Sequence, residues 1–154
     1  MILGNNYKGS GYYGAYPPGY LKRIMALFPD MAPKETLHLF SGSLKGGLRV
    51  DRNIQNGPTV VADATALPFK PYFRLVVADP PYGSSHARKY GFPMVNRRLV
   101  LSSVASITMP GGHLVWLDVM PPMFKKLDWH WWGALAIVRS TNHQVRLVTI
   151  LERR

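Results

Sequence analysis

The sequence predicts an α/β fold in which a mostly parallel sheet ends in an antiparallel hairpin. Four short apolar runs, typical of buried parallel strands, lie at 36–40, 48–51, 59–63 and 73–78. A fifth run at 113–117 follows a helical segment. The last part of the chain carries two longer strand-like runs, joined by Ser140-Thr141-Asn142, and this pattern predicts a hairpin of 130–139 and 144–152.

Two segments are predicted to be helical. In 18–28 the apolar residues fall on one helix face, and Pro29 ends the helix. The second helix lies near 95–109 and ends at Met109-Pro110-Gly111. One short helical turn is predicted at 122–127.

The links between the predicted parallel strands are unusually short. Gly42 and Asp51 are too close in sequence for a helical crossover, which needs about a dozen residues. The links from Asp51 and from Asp63 to the next strands are short as well. We therefore expect three crossover helices to be reduced or missing, with one sheet face covered only by the first helix. A homodimer would bury that face, although the N-terminal Tyr/Gly/Pro segment could fold over it instead.

The segment Asp79-Pro80-Pro81-Tyr82 follows the apolar run 75–78, so that a strand ends where a carboxylate begins. The two prolines stiffen the loop and bring no N–H donor. The Asp79 carboxylate and a fixed carbonyl can accept both hydrogens of one amino group. Tyr82 offers a flat ring on which a planar base can stack. This set of groups suits the exocyclic amino group of a nucleobase.

These four residues resemble the catalytic motif of the S-adenosylmethionine-dependent nucleic-acid amino-methyltransferases, and in particular the DPPY motif of the DNA adenine methyltransferase family. The resemblance implies a Rossmann-like class I methyltransferase fold and S-adenosyl-L-methionine as cofactor. It also implies that Asp79, Pro80, Pro81 and Tyr82 are catalytic. Adenine is favoured over cytosine because the motif starts with Asp, where the cytosine-directed branch tends to have Ser.

Further segments resemble the cofactor-binding motifs of that family, in the family's order. The segment 37–42 resembles the strand and glycine turn beside the methionine part, although Leu44 stands where the family usually has a second Gly. Asp51 resembles the acid that holds the ribose, and Asp63 the acid that reads the adenine. Each acid taken alone is more often a turn or cap residue.

The N-terminal segment 12–20 resembles the part of the family that closes over the methionine end; otherwise it is a Tyr/Gly/Pro-rich loop that packs on the sheet. Together, the cofactor-binding residues that the resemblance implies are Tyr16, Pro17, Phe40, Gly42, Asp51, Asp63, Ala64 and Asp79.

The charge of the chain favours a polyanionic partner. Its net charge is +11, and no acid lies between Asp79 and Asp118. Part of this interval, 83–93, mixes Gly, Ser and aromatic residues with basic ones and is predicted to be a mobile basic loop. We expect nucleic-acid contacts from His86, Arg88, Lys89, Tyr90, Arg97 and Arg98.

Composition excludes several other classes of protein. With 47% hydrophobic and 18% charged residues the chain is globular, and its 154 residues suit one domain, with an N-terminal part at 1–30 and a catalytic core at 36–154. The absence of Cys excludes disulfides and thiolate metal sites, and the spacing of the five His residues predicts no metal. No membrane span or signal peptide is visible, so we expect a cytoplasmic protein.

The sequence thus predicts a minimal methyltransferase of adenine in DNA, without a target-recognition domain and with short or loose sequence specificity. Two alternatives stay open. One is an RNA methyltransferase, since similar motifs serve ribosomal RNA enzymes. The other is a catalytically idle subunit that binds nucleic acid for an active partner.

Overall fold

The computed structural model describes residues 2–3, 16–89, 91–139 and 143–154, and these form one eight-stranded sheet in the order β1-β7-β8-β6-β5-β2-β3-β4. The strands are β1 (Ile2–Leu3), β2 (Thr36–Leu39), β3 (Leu48–Asp51), β4 (Val60–Val61), β5 (Phe73–Ala78), β6 (Thr108–Asp118), β7 (Trp129–Arg139) and β8 (Val145–Arg153). Strands β2 to β6 pair in parallel, whereas β8 is antiparallel to both β6 and β7. The predicted parallel sheet with a C-terminal hairpin is confirmed; the predicted turn at 140–142 lies outside the described residues.

The structure contains three α-helices in its described ranges: α1 (Tyr20–Met25), α2 (Ser84–Lys89) and α3 (Arg97–Ile107). The prediction of a first helix over 18–28 was too long. Its last residues donate tighter i→i−3 bonds, from Leu27 to Ile24 and from Phe28 to Met25, which end the α-helical pattern. The second predicted helix is confirmed as α3, and the side chain of Asn96 caps it by accepting from the amide of Leu99 at 3.2 Å.

Three other predictions need correction. The segment 122–127 is not helical; instead the amides of Asp128 and Trp129 both donate to the carbonyl of Lys125 in a turn. The strand predicted at 59–63 is reduced to Val60–Val61 at the sheet edge, where it has one neighbour only. Strand β6 begins directly after α3, five residues earlier than predicted, because the chain pairs with β5 through a register shift.

The shortened crossovers are confirmed. The links 40–47, 52–59 and 62–72 contain no α-helix, and only a 3-10 turn at Ile54–Asn56 stands in the second of them. One sheet face packs on α3, through buried residues that include Val100, Val104 and Ile107. Loop side chains such as Leu67 and Phe69 add to this layer.

The opposite face packs on α1, through Tyr20, Ile24 and Phe28. Sheet residues beneath this helix, such as Val77 and Val115, are fully buried within the single chain. Burial of the sheet centre therefore does not require a second copy, and the homodimer stays a prediction, which light scattering at micromolar concentration can check. The helices in the described ranges are all too short to serve as bilayer-spanning segments.

Candidate active site at the carboxyl edge of the sheet

Four acidic residues lie at or just after the carboxyl ends of parallel strands. Asp51 ends β3, Asp63 follows β4, Asp79 follows β5, and Asp118 ends β6. Because β2 to β6 run in parallel, these ends share one edge of the sheet. Ligands of open α/β sheets bind at this edge.

The turn after β2 has an unusual backbone. Phe40 has a φ of 54° and Gly42 one of 49°, both in the left-handed region. A non-glycine residue there costs about 1 kcal/mol or more, and such residues cluster at functional sites. The amide of Gly42 donates to the Asp51 carboxylate at 2.9 Å, so the acid predicted to hold a ribose also fastens the glycine turn.

The Asp51 carboxylate also organises the loop that follows it. It accepts from the amide of Asn53 at 2.9 Å and from the side-chain amide of Asn56 at 3.1 Å. A carboxylate has about four acceptor positions, so one more hydroxyl partner can still be accommodated.

Asp63 forms a local turn. Its carboxylate accepts from the backbone amide and from the hydroxyl of Thr65, at 2.9 and 2.8 Å, and lies 3.5 Å from Arg52. The hydrogen bond from the backbone amide of Thr65 does most to lower the pKa of Asp63. Ala64 is buried beside it. The turn role that is typical of such an acid is therefore present, and the adenine contact stays a prediction.

Tyr82 turns back onto Asp79, and its hydroxyl donates a hydrogen bond to the Asp79 carboxylate. Arg146 of β8 donates to the same hydroxyl oxygen at 2.8 Å, and its guanidinium carbon lies 4.4 Å from the centre of the tyrosine ring. One face of the ring predicted to stack on a base thus carries Arg146. A base would take the other face or displace the guanidinium.

The pKa of Asp79 is raised from 3.8 to about 6, mainly by burial and in smaller part by the charge of Asp118. The hydrogen bond from Tyr82 and the charge of Arg146 act in the opposite direction. Burial likewise raises the pKa of Tyr82. Asp79 is therefore a carboxylate at pH 7 that lies close to its protonation range, as is common for groups that handle protons in active sites.

Two further tyrosines lie near Asp79. The hydroxyl of Tyr16 donates to the carbonyl of Val77 at 3.4 Å, and its ring stacks on Tyr20 at 5.3 Å. Burial raises the pKa of both phenols, and the Asp79 charge raises each further. Pro17 is buried, and its carbonyl accepts from the amide of Tyr20. The predicted contact Tyr16 thus lies near Asp79, whereas residues 12–15 of that N-terminal segment lie outside the described residues.

Arg97 joins the catalytic loop to the sheet. Its Nε donates to Asp118 at 2.8 Å, and a terminal nitrogen donates to the carbonyls of Tyr82, at 3.1 Å, and Pro81, at 3.5 Å. Asp118 is fully buried and also accepts from the indole of Trp116. The charge of Arg97, predicted to contact phosphate, is thus engaged inside the protein.

Sequence reasoning missed two members of this site. Asp118 follows an apolar strand as the other three acids do, so the same signal could have identified it. Arg146 has no such signal, because it reaches Tyr82 across 64 positions of the chain and only the hairpin register brings it there.

The basic segment after the motif is partly helical, which corrects the predicted mobile loop. Helix α2 buries Ala87, and the His86 ring meets the Tyr82 ring edge-on at 5.7 Å. Arg88 and Arg98 are exposed, as is Lys89, whereas Tyr90 lies outside the described residues. Within the described ranges, no cluster of three His, Asp or Glu side chains could hold a metal ion.

Comparison with known proteins gives matches in structure only: no protein-family model and no curated sequence matches. TrmN from Thermus thermophilus aligns with a TM-score of 0.67 at 17% identity, over 92% of this chain and 50% of that chain. The chain has the class I methyltransferase fold. It spans half the length of that TrmN structure.

Two other solved structures agree with this fold. The N-methyltransferase NodS from Bradyrhizobium japonicum WM9, in complex with S-adenosyl-L-homocysteine, aligns with a TM-score of 0.50 at 10% identity, over 88% of each chain. An rRNA methylase from Streptococcus thermophilus aligns with a TM-score of 0.51 at 11% identity, over 88% of this chain and 96% of that chain. Identities this low show a shared fold alone.

Proposed function

We propose that this protein transfers a methyl group from S-adenosyl-L-methionine to the exocyclic amino group of a nucleobase. The observation that carries the proposal is the placement of the Asp79–Tyr82 motif beside the Phe40–Gly42 turn and Asp51, at the carboxyl edge of a class I methyltransferase sheet. The motif would bind the amino group, and the turn and Asp51 would bind the cofactor.

The residues present fit the cofactor. Ser41 lies inside the glycine turn, and its hydroxyl is buried with no hydrogen-bond partner among the described residues; the same is true of the Tyr20 hydroxyl. An unsatisfied buried hydroxyl costs about 1–3 kcal/mol, which a polar ligand would relieve. NodS, with the same fold, was solved with S-adenosyl-L-homocysteine, the demethylated form of this cofactor.

In the proposed reaction, Asp79 accepts a hydrogen bond from the amino group and orients its nitrogen lone pair. The carbonyl of Pro80 is the second acceptor that the motif offers. S-adenosyl-L-methionine, when bound, supplies the activated methyl group. The nitrogen loses a proton as the new N–C bond forms, and a carboxylate with a pKa of about 6 is a suitable first acceptor for it. Positioning carries most of the rate.

Adenine in DNA is the first substrate to test, because the motif resembles that of the DNA adenine enzymes. RNA is the second candidate, since the similar structures include an rRNA methylase and a 16S rRNA (adenine(1408)-N(1))-methyltransferase. The assay incubates the protein with methyl-labelled cofactor and separate DNA and RNA pools, and then identifies the methylated nucleoside. Asp79→Ala is the control. Cofactor binding without label in either pool would contradict the proposal and favour an idle binding subunit.

Cofactor binding is expected to depend on Asp51. Asp51→Ala removes the acceptor of the Gly42 amide and the proposed ribose partner together, so the affinity for S-adenosyl-L-methionine should fall about tenfold or more, since a hydrogen bond to a charged group contributes about 1.5–3 kcal/mol. Calorimetry measures this affinity. Asp30→Ala, which changes an exposed acid after α1, is the control. An unchanged affinity in Asp51→Ala would mean that other residues hold the ribose.

Nucleic-acid binding is expected to depend on the exposed cations beside the motif. Arg88→Gln together with Arg98→Gln should weaken binding of all sequences alike and should lower the salt slope by about one for each lost phosphate contact. Filter binding across a salt series measures both effects. The control is Lys125→Gln with Lys126→Gln. It removes the same amount of charge just before β7, at the opposite edge of the sheet. A slope in Arg88→Gln with Arg98→Gln that equals the slope of the unchanged protein would show that these cations contact no phosphates.

A further inference from the structure

Arg146 lies on the hairpin, far in sequence from the catalytic motif, and yet two contacts tie it to Tyr82. Its guanidinium donates to the Tyr82 hydroxyl at 2.8 Å and also covers the tyrosine ring, with the guanidinium carbon 4.4 Å from the ring centre. Because the hydroxyl oxygen accepts from Arg146, its own hydrogen is directed to Asp79. The three groups form a chain from cation to hydroxyl to carboxylate.

We infer that Arg146 is a positioning residue of the proposed methyl-transfer site, which holds the Tyr82 hydroxyl as a hydrogen-bond donor to Asp79. This inference rests on the proposed function for its catalytic meaning, but the contacts themselves are independent of it. The Tyr82 hydroxyl donates to the carboxylate as the amino group of a substrate would. The Arg146–Tyr82–Asp79 contacts therefore keep the half-buried carboxylate ionised and oriented before the substrate binds.

The ionisation of Asp79 is sensitive to the contacts that Tyr82 and Arg146 make. A partly buried carboxylate is stabilised by a donor and by a nearby cation, and it is destabilised by a second carboxylate. The ionisable groups that act on Asp79 or that its charge acts on are Tyr16 and Tyr20 from the α1 side, Tyr82 in its own loop, Asp118 of β6 and Arg146 of β8. Among the described residues, Arg146 is the one cation in this set.

Two variants test the role. Arg146→Met keeps the length of the aliphatic stem and removes the charge and the donors. Tyr82→Phe keeps the ring and removes the hydroxyl. Each should raise the pH at which Asp79 titrates by roughly one unit. Arg74→Met is the matched control, because Arg74 is exposed, lies at the other end of β5 and pairs with Glu35 at 3.8 Å.

The measurement is carboxyl-carbon NMR across a pH series, with the Asp79 signal assigned from Asp79→Asn. The chain has only eight Asp and Glu residues, which keeps this spectrum simple. The acid limb of the methyl-transfer pH profile should move by the same amount. The shift in Arg146→Lys should be smaller than that in Arg146→Met, because lysine keeps the positive charge.

The two proposals fail in different ways. An Asp79 titration that is the same in Arg146→Met, Tyr82→Phe and Arg74→Met would overturn the positioning role, even if methyl transfer is found. A shifted titration supports the chain of contacts even if no substrate is methylated, a result that would count against the proposed function alone. A shifted titration with an unshifted activity profile would overturn the catalytic meaning of Arg146.

Discussion

Asp79→Asn is expected to stabilise the folded protein at pH 7 by about 2–3 kcal/mol while it lowers methyl transfer about tenfold or more. The gain follows from burial, which raises the pKa of the Asp79 carboxyl from 3.8 to about 6 and so disfavours its charged form in the fold. Asparagine has the same shape, and its side-chain oxygen can still accept the Tyr82 hydroxyl. The loss of activity follows because a neutral oxygen accepts more weakly from an amino group than a carboxylate does.

The pH dependence of this gain has a defined sign. A carboxyl whose pKa is higher in the folded than in the unfolded chain stabilises the fold fully below about pH 4, and this contribution is lost as the pH rises through about 6. The two proteins should therefore be nearly equal in stability below pH 4, and the variant should be the more stable one above pH 6. Urea unfolding at both pH values measures the difference.

Asp30→Asn is the control for the loss of one negative charge from a chain of net charge +11. A gain for Asp79→Asn at pH 7 no larger than that for Asp30→Asn would contradict the burial argument. Asp79→Ala removes the acceptor altogether and should abolish methyl transfer with the fold retained. Transfer at a near wild-type rate by this folded variant would contradict the mechanism.

The strand-end acids could be predicted from the sequence because their signal is local. An apolar run that stops at an acid predicts that the acid lies at the end of a strand, and Asp51, Asp63 and Asp79 all lie at or just after strand ends. Some contacts of these carboxylates are local, such as that from Thr65 to Asp63, but their distant partners were not predictable, because these come from elsewhere in the fold. Asp51 binds the amide of Gly42 in the preceding link, and Arg146 meets Tyr82 only through the hairpin register.

The errors in the predicted elements have a related cause. Helix α2 is only six residues long, and a helix of this length depends on tertiary packing, here the burial of Ala87, rather than on a periodic pattern. The start of β6 was predicted too late because Pro110 and the two following glycines are typical of a turn. Pairing with β5 overrides that local preference through a register shift. The nucleic-acid contact of Arg97 was predicted from its charge alone and stays a prediction, whereas its ion pair with the buried Asp118, 21 positions away, could not be predicted.

Arg97→Met is expected to lower the free energy of unfolding by about 3 kcal/mol, because it leaves the fully buried Asp118 carboxylate without its cation. The Trp116 indole and the Val119 amide remain as donors to Asp118, but neither carries a charge. Arg97→Lys should recover only part of the loss, since an ammonium lacks the fork that serves the carboxylate and the loop carbonyls together.

The neighbouring residue provides a matched control, because Arg98 is exposed on the same turn of α3 and Arg98→Met should change stability by about 0.5 kcal/mol or less. Adding Asp118→Asn to Arg97→Met should recover part of the lost stability, since no buried charge is then left unpaired. Methyl transfer should be low in both Arg97→Met and this double variant. In each, the Tyr82 and Pro81 carbonyls lack their donor, so that the catalytic loop is not held to β6. Denaturant unfolding and the labelled-methyl assay separate the two effects. Equal stability of Arg97→Met and Arg98→Met would show that the buried ion pair does not hold the loop.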